Sequence, residues 1–374
     1  MGIYIHIPFC AKKCYYCDFF MSLSLQYKEE YLQTLIKELG LRKNYLQNKP
    51  VETIYLGGGT PSLLSEKELN EIFEQIYKTY NVSEKVEITA EANPDDLSNS
   101  YLKELKKTPI NRLSIGIQSF FDDDLQMMNR RHSAEQSMFV VKKAQDNGFS
   151  NISGDLIYGL PGMSSKKWKK NLNSFFELKI PHLSAYHLTY EPNTVFIKRL
   201  KTGKIKEISE EESIIQFKIL QKEAKKNNFF QYETSNFGKE GFFSKHNTAY
   251  WQQKHYLGIG ASAHSYNGNS RQFNIKNIKE YIKRTGEDNN YFKKEILSEK
   301  DKYNDYIITR LRTMWGVDIN FVKKKICENY AEFLVEKAQK HIEKGNLTEK
   351  KNILYVTEQG KFIEDFIIED LFYL

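Results

Sequence analysis

The sequence predicts an α/β protein: a partial (β/α)6, TIM-like barrel with a smaller, winged-helix-like domain at its C-terminal end. Three observations carry that expectation. Short β-type runs alternate with amphipathic helical patterns through the first two thirds of the chain, the signature of βαβ units on a parallel sheet. Helix-start signals stand between those runs. The tail, "LTEKKNILYVTEQGKFIEDFIIEDLF", reads as two short strands about a turn and a closing helix.

The expected strands, in order, are Ile3–Ile7, Thr53–Leu56, Val86–Ala90, Arg112–Ile117, Ile152–Ile157 and Leu183–Leu188. Between them Ser65 with Glu68, Ser133 with Gln136 and Ser209 with Glu212 match the capping box, in which a hydroxyl takes an orphan backbone N–H of the first turn. Apolar residues follow at helical spacing, as in Leu69, Ile72, Phe73, Ile76 and Tyr80, and in Val140, Val141 and Ala144, a helix that Gly148 closes as a left-handed cap. Six βα units suit a barrel or partial barrel, whose ligands sit at the C-terminal ends of the strands. Residues 1–235 are assigned to it. Residues 236–295, rich in Gly, Asn and Ser, are expected to be functional loops with one helix near Ile275–Arg284, and residues 296–374 form the C-terminal domain.

Composition narrows the class. A formal charge of +7, from 55 basic and 48 acidic residues, is modest for 374 residues, and the lysines are scattered rather than blocked, so no nucleic-acid partner is expected. The N-terminus carries no basic residues ahead of its short apolar run, and no stretch approaches the ~20 apolar residues of a membrane span, so a soluble cytoplasmic protein is expected. The 24 Tyr and 24 Phe fill cores but also line flat cofactor pockets. Four cysteines, three crowded and Cys327 alone far downstream, do not make a disulfide framework. The cluster reads as metal chemistry, and Cys327 as a buried thiol.

Cys10, Cys14 and Cys17 in "FCAKKCYYCDFF" have the spacing C-x3-C-x2-C. Structural zinc wants four protein ligands, normally as two separated pairs, so three thiolates in one loop suit an iron–sulfur cluster better. A [4Fe-4S] cube held by three thiolates keeps one iron open to a small molecule. A zinc knuckle completed by His6 is the competing assignment. At other strand ends stand Gly57, Gly58, Gly59 and Thr60 in "YLGGGTPS", Glu91 in "AEANP", Gln118 in "GIQSF", Arg130 in "MNRRH" and Asp155 in "GDLIYGLPG". Glycines let backbone approach a ligand, a carboxylate or amide hydrogen-bonds ribose hydroxyls, and a guanidinium forks onto a carboxylate.

The cysteine spacing, with aromatic Tyr16 just before the last cysteine, resembles the radical SAM superfamily. "YIHIPFCAKKCYYCDF", "GGGTPS", "GIQSF" and "DLIYGLPG", in that order, resemble its coproporphyrinogen dehydrogenase-like branch over most of the first 270 residues, and the tail resembles that branch's C-terminal module. The resemblance implies that the amino and carboxylate groups of S-adenosylmethionine chelate the open iron. It implies that Tyr4, Tyr16, Gly57, Gly58, Gly59, Thr60, Glu91, Gln118, Arg130 and Asp155 surround that cofactor.

Within the branch an oxygen-independent coproporphyrinogen III dehydrogenase competes with heme chaperones. The dehydrogenase has a further cysteine where this chain has Phe19, and its chain starts well upstream of the cluster, whereas only nine residues precede Cys10 here. "HNTAYW", residues 246–251, matches the HNxxYW motif associated with heme binding in the chaperones, which makes His246, Tyr250 and Trp251 the expected heme contacts, with His255 and His264 ranked second. The expectation is therefore a heme chaperone that delivers heme to acceptor hemoproteins such as membrane respiratory enzymes, with peripheral membrane contact only through them, and a homodimer compatible with the resemblance. The dehydrogenase, which decarboxylates two propionates by radical chemistry, is the alternative. An RNA-directed radical SAM protein ranks third, because no lysine- or arginine-dense stripe is present.

Overall fold

The computed structural model describes residues 1–287 and 290–374. Six parallel strands lie side by side in chain order: β1 (Gly2–Ile7), β2 (Val51–Gly58), β3 (Val82–Ala92), β4 (Arg112–Gln118), β5 (Asn151–Tyr158) and β6 (His182–His187). Each expected strand is found, lengthened by a few residues or shifted by one. The helices between them are α1 (Lys28–Leu41), α2 (Glu66–Thr79), α3 (Asn99–Leu105), α4 (Asp122–Met127), α5 (Ala134–Asp146), α6 (Ser165–Glu177), α7 (Val195–Lys201) and α8 (Glu210–Lys226).

Alternation along each strand decides what faces where. In β4, Leu113, Ile115 and Ile117 are fully buried in the aliphatic core, whereas Arg112, Ser114, Gly116 and Gln118 line an interior cavity. The same split puts Ile3, Ile5 and Ile7 of β1 and Ile54 and Leu56 of β2 in the core. One face of the sheet is thus aliphatic, and the other is polar.

The capping boxes of α2 and α5 form as expected, and Gly148 follows α5 with a φ of +85°. At α8 the Ser209 hydroxyl accepts from the Glu212 N–H, but Glu212 turns away to accept from Ser165 and does not close the reciprocal bond.

The segment 236–295 departs most from expectation. It forms no separate loop region but adds strands to both edges of the sheet. With β7 (Phe230–Gln231), β8 (Asn236–Gly238) pairs antiparallel to β6. Helix α9 (Lys245–Trp251) carries the HNxxYW residues, so that motif is helical. Then β9 (Tyr256–Ile259) pairs parallel to β1, and β10 (His264–Tyr266), β11 (Ser270–Asn274) and β12 (Phe292–Ile296) continue outward antiparallel. Helix α10 (Ile278–Glu287) lies before β12, near the expected position. The result is an open, mixed sheet of twelve strands among the described residues.

A buried carboxylate ties this extension to the barrel. Glu38 of α1 is 0 % exposed and accepts from the Gly260 N–H (2.8 Å), the Asn274 amide (2.8 Å) and the Tyr281 hydroxyl (2.6 Å), with the Arg42 guanidinium 3.6 Å away. Polar residues stand in these short strands because their partner is a charge rather than an aliphatic face.

A second hydrophobic core, from Tyr303 to Leu371, belongs to the C-terminal domain. There β13 (Val317–Asp318) pairs with β15 (Ile353–Val356), which forms a hairpin with β14 (Leu347–Lys350). Lys351 and Asn352, both at positive φ, make the two-residue turn, and the helix Glu364–Asp370 closes the chain as expected. Cys327 is half-buried at the N-cap of the helix Glu328–Glu343 rather than in the core, because the preceding lysine-rich turn keeps that end at the surface. No helix among the described residues is long and apolar enough to cross a membrane.

Replacing Ser65 by Ala removes one half of a reciprocal cap and costs about 1 kcal/mol. Amide exchange over Glu66–Thr79 is expected to quicken by about fivefold while α5 is unchanged.

Candidate functional site

The residues singled out in the sequence converge where β1 to β6 end. Strand β1 runs into Pro8, Phe9 and the cysteine loop, and that loop is closed at its neck by Cys10 N–H to Ser22 O (2.9 Å) and Ser22 N–H to Pro8 O (2.7 Å). It is pinned from outside by Tyr15 N–H to Met128 O (3.1 Å), the Asn129 amide to Lys13 O (2.8 Å) and Phe196 N–H to Tyr15 O (3.0 Å). The thirteen-residue loop Cys10–Ser22 is thereby held without helix or strand of its own.

The glycines of β2 permit this. A Cβ on Gly59 would stand 2.6 Å from the Ile7 carbonyl oxygen and 2.8 Å from that of Phe9, both backbone atoms, and one on Gly58 (φ +104°) would overlap the His6 ring at 2.3 Å. Only glycine lets the end of β2 lie directly under the cysteine loop.

The three thiols, all half-buried, open on one cavity of about 880 Å3. Thr60 Oγ1 donates to Cys10 Sγ (3.3 Å), and Arg130 Nη1 donates to Cys14 Sγ (3.3 Å). Burial pushes the Cys17 thiol up to about 11 and Cys10 also upward, and in each case neighbouring thiolates add repulsion. Burial thus keeps Cys10 and Cys17 protonated, and a metal centre would supply the positive charge that thiolates there need beyond the one guanidinium of Arg130. His6 is not a fourth donor: its Nε2–H goes to Phe20 O (3.0 Å), leaving Nδ1 to accept from the Tyr4 hydroxyl (3.0 Å). The donor set fits an iron–sulfur cluster and does not fit the zinc knuckle through His6.

Tyr16, Gly58, Gly59, Thr60, Glu91, Gln118, Arg130 and Asp155 line the same cavity as the thiols. Glu91 accepts from the Tyr55 hydroxyl (2.8 Å) and the Gly58 N–H (3.0 Å). Asp155 accepts from Ser114 (3.2 and 3.3 Å) and from Ser153 (3.4 Å). Gln118 sits at φ +65° beside a register shift of β4, a strained backbone of the kind found at ligand sites. Gly116 leaves room for it, since a Cβ there would meet the Gln118 amide at 2.7 Å and Arg130 at 3.2 Å. Arg130 reaches Asn93 Oδ1 (2.6 Å) and Gly116 O (2.9 Å), while its buried Nε has no partner. Gly57 lies at the cavity's edge, where a Cβ would strike the Tyr55 ring and Glu91.

Two expected contacts lie elsewhere. Tyr4 faces the lumen but is stacked on Tyr55 below the cavity (6.2 Å, 25°). His246, 1 % exposed, accompanies it, with Nδ1 2.8 Å from Thr53 Oγ1 and Nε2 2.8 Å from the Tyr250 hydroxyl. Both of its ring nitrogens are engaged, so it presents none to a ligand. His255 is half-buried and His264 is exposed, and neither lines either cavity.

Tyr250 and Trp251 line a second cavity of about 840 Å3 between barrel and C-terminal domain, together with Arg312, Lys361, Phe362 and Phe366. The two cavities share Tyr186, Thr234, Ser235, Asn247 and Asp365 and so adjoin.

Sequence reasoning missed Tyr55, Asn93, Arg112, Ser114 and His187 among the lining residues. For Arg112 and Ser114 the signal was present: polar residues at alternate positions of "RLSIGIQ", a strand too apolar otherwise to face water. Arg112, 2 % exposed, has a buried Nε without a partner.

Burial raises the Glu91 carboxyl to about 7, with Asp155 adding repulsion, and raises Asp155 to about 6, where serine hydroxyls and Arg112 oppose the shift. Each carboxyl is therefore neutral below its raised value and ionised above it. Difference infrared spectroscopy is expected to show carboxyl bands disappearing near pH 7 and pH 6 as pH rises. The band near 7 should be missing in Glu91→Gln and the band near 6 in Asp155→Asn.

Comparison with known proteins agrees with this geometry. The model of the Radical SAM superfamily matches residues 4–174, and that of the HemN C-terminal domain matches residues 297–363. The heme chaperone HemW of Bacillus subtilis is 35% identical over 96% of this chain and 96% of its own length. HemW of Lactococcus lactis is 33% identical over 98% and 97%. Coproporphyrinogen III oxidase (HemN) from Escherichia coli, described as a radical SAM enzyme, has the same fold, with a TM-score of 0.86 at 22% identity over 99% of this chain and 89% of that one.

Proposed function

The chain belongs to the HemW family within the radical SAM superfamily, and on that premise we propose that it is a heme chaperone. It holds a [4Fe-4S] cluster on Cys10, Cys14 and Cys17, binds S-adenosylmethionine at the open iron, carries heme and passes it to acceptor hemoproteins, membrane respiratory enzymes among them. The single observation that carries the cofactor part is that three thiols and the glycine-rich end of β2 open on the cavity that Glu91, Gln118, Arg130 and Asp155 also line.

The cluster, when bound, supplies a Lewis-acidic, one-electron iron at the vacant corner. The chain's own residues do the rest. Thr60 and Arg130 donate to cysteine sulfur, which lowers the negative charge there. Gln118 and Asp155 are acceptors for ribose hydroxyls, and Arg130, which also lines the cavity, brings the guanidinium charge that complements a carboxylate. Glu91, already holding Tyr55 and Gly58, keeps acceptor capacity for an ammonium group.

Heme is assigned to the second cavity, where Tyr250 and Trp251 offer flat walls and where Arg312, paired with Asp365 (2.6 Å), and Lys361, donating to Gln231 (2.8 Å), bring the cations that propionates would recruit. A porphyrin-sized ligand suits a space of about 840 Å3. His246, the ligand expected from the motif, does not enter this assignment, because it lines neither of the two cavities.

Hemin titration followed at the Soret band tests the reading, together with transfer of the heme to an apo-hemoprotein. Wild type is expected to bind and transfer, and Trp251→Ala to bind about tenfold more weakly, the loss of about 1.4 kcal/mol of ring contact. Absence of hemin binding overturns the chaperone. So does coproporphyrinogen-dependent CO2 release with 5′-deoxyadenosine formation in an anaerobic assay with reductant, which identifies the dehydrogenase instead.

A further inference from the structure

We propose that His246 is a positioning residue for the cofactor cavity: it plugs the floor of the barrel lumen, fixes the Tyr55 ring and through it Glu91, and joins that carboxylate to Tyr250 on the wall of the second cavity. This rests on the reading that the first cavity takes S-adenosylmethionine.

The site is built for the ring. Gly2, at the start of β1, leaves the space: a Cβ there would stand 2.9 Å from Thr53 Oγ1 and 3.2 Å from the imidazole. The imidazole lies flat on Tyr55, with centroids 5.1 Å apart and planes 26° apart, and Tyr4 packs near both rings, 6.5 Å from His246. The Glu87 carboxylate takes the His246 backbone N–H (3.1 Å), which anchors the first turn of α9 beneath the sheet. A neutral imidazole has one donor and one acceptor nitrogen, and the hydroxyls of Thr53 and Tyr250 match either tautomer. Burial, reinforced by Arg112, holds the ring neutral by moving its titration down to about 3.

From that ring the path to the cofactor cavity is short. Tyr55, held on one face by His246, donates its hydroxyl to Glu91 Oε1 at 2.8 Å. Gly57 leaves no slack, since a Cβ on it would meet both the Tyr55 ring (2.8 Å) and the Glu91 carboxylate (2.9 Å). In the other direction, Tyr250 receives or gives the Nε2 hydrogen bond, and its side chain lines the second cavity. Iron ligation by His246 would require breaking one of two buried hydrogen bonds and withdrawing the plug, and nothing in the packing replaces it.

The test uses the full chain with its cluster reconstituted anaerobically. S-adenosylmethionine affinity is expected to fall by about fivefold in His246→Ala and in Tyr55→Phe, and the double variant to lose no more than the weaker-binding single one, the non-additivity of residues that act through each other. His246→Gln, which keeps a donor and an acceptor, should recover part of the loss. A readout independent of the cofactor accompanies it: the pH midpoint of the Glu91 carboxyl band should move in His246→Ala and in the milder Thr53→Val, which leaves no hole. If wild type fails to bind S-adenosylmethionine, the cofactor reading falls, and the Glu91 midpoint alone then decides the positioning role. An unmoved Glu91 midpoint in both variants overturns the proposal. So does a change of hemin spin state or Soret position in His246→Ala, which marks an axial ligand.

Discussion

A single close approach of backbone to backbone organises this molecule. Where β2 ends, Gly59 passes so near the carbonyls of Ile7 and Phe9 that one added carbon would overlap them. That contact sets the cysteine loop on top of the β2 terminus and directs all three thiols into the space above the strand ends. Gly58, curled under the His6 ring, then offers its N–H to Glu91, so the same turn that seats the loop also orients the first carboxylate of the cavity. Cluster site and ligand site are two faces of one glycine turn.

The lumen below is polar, and its cost falls on the apo protein. Glu91 and Asp155 are held among hydroxyls and near the buried Arg112, with insufficient hydrogen bonds to keep either at its ordinary acidity. Folding therefore forgoes stability at neutral pH that protonation restores, and a ligand that donates hydrogen bonds recovers it. The same logic applies to Cys10 and Cys17: burial disfavours their thiolate forms, and a bound metal centre would favour them. Glu38 is the contrasting case. It meets three donors and a guanidinium and serves architecture alone, fastening the strands after residue 255 to α1.

Much of this was legible from the residues. Periodicity located all six parallel strands because their core-facing positions are mostly aliphatic, and the capping serines located α2 and α5 because that chemistry is local. The cysteine loop and the glycine turn were legible as spacing. What stayed hidden depends on tertiary partners. Strands such as β11, "SRQFN", lack apolar alternation because buried Asn274 answers to Glu38, 236 positions distant in the chain, and buried Gln272 to Arg42. His246 resembled a metal ligand because a histidine among aromatics reads the same whether it opens on a cavity or closes one. Only Thr53 and Tyr250, arriving from a strand and from the next helical turn, distinguish the two. The second cavity was invisible for a similar reason: its walls come from α9 and from a C-terminal helix more than a hundred residues later.

Three thiols would leave a corner of the cluster open for a ligand held by the adjoining cavity. Mössbauer spectroscopy of the anaerobically reconstituted full chain, before and after adding S-adenosylmethionine, addresses it directly. Cuboidal iron–sulfur signals are expected, with one iron of the four shifting toward higher coordination when the ligand is added. Spectra without a cluster, or cluster spectra that S-adenosylmethionine leaves unchanged, would contradict it.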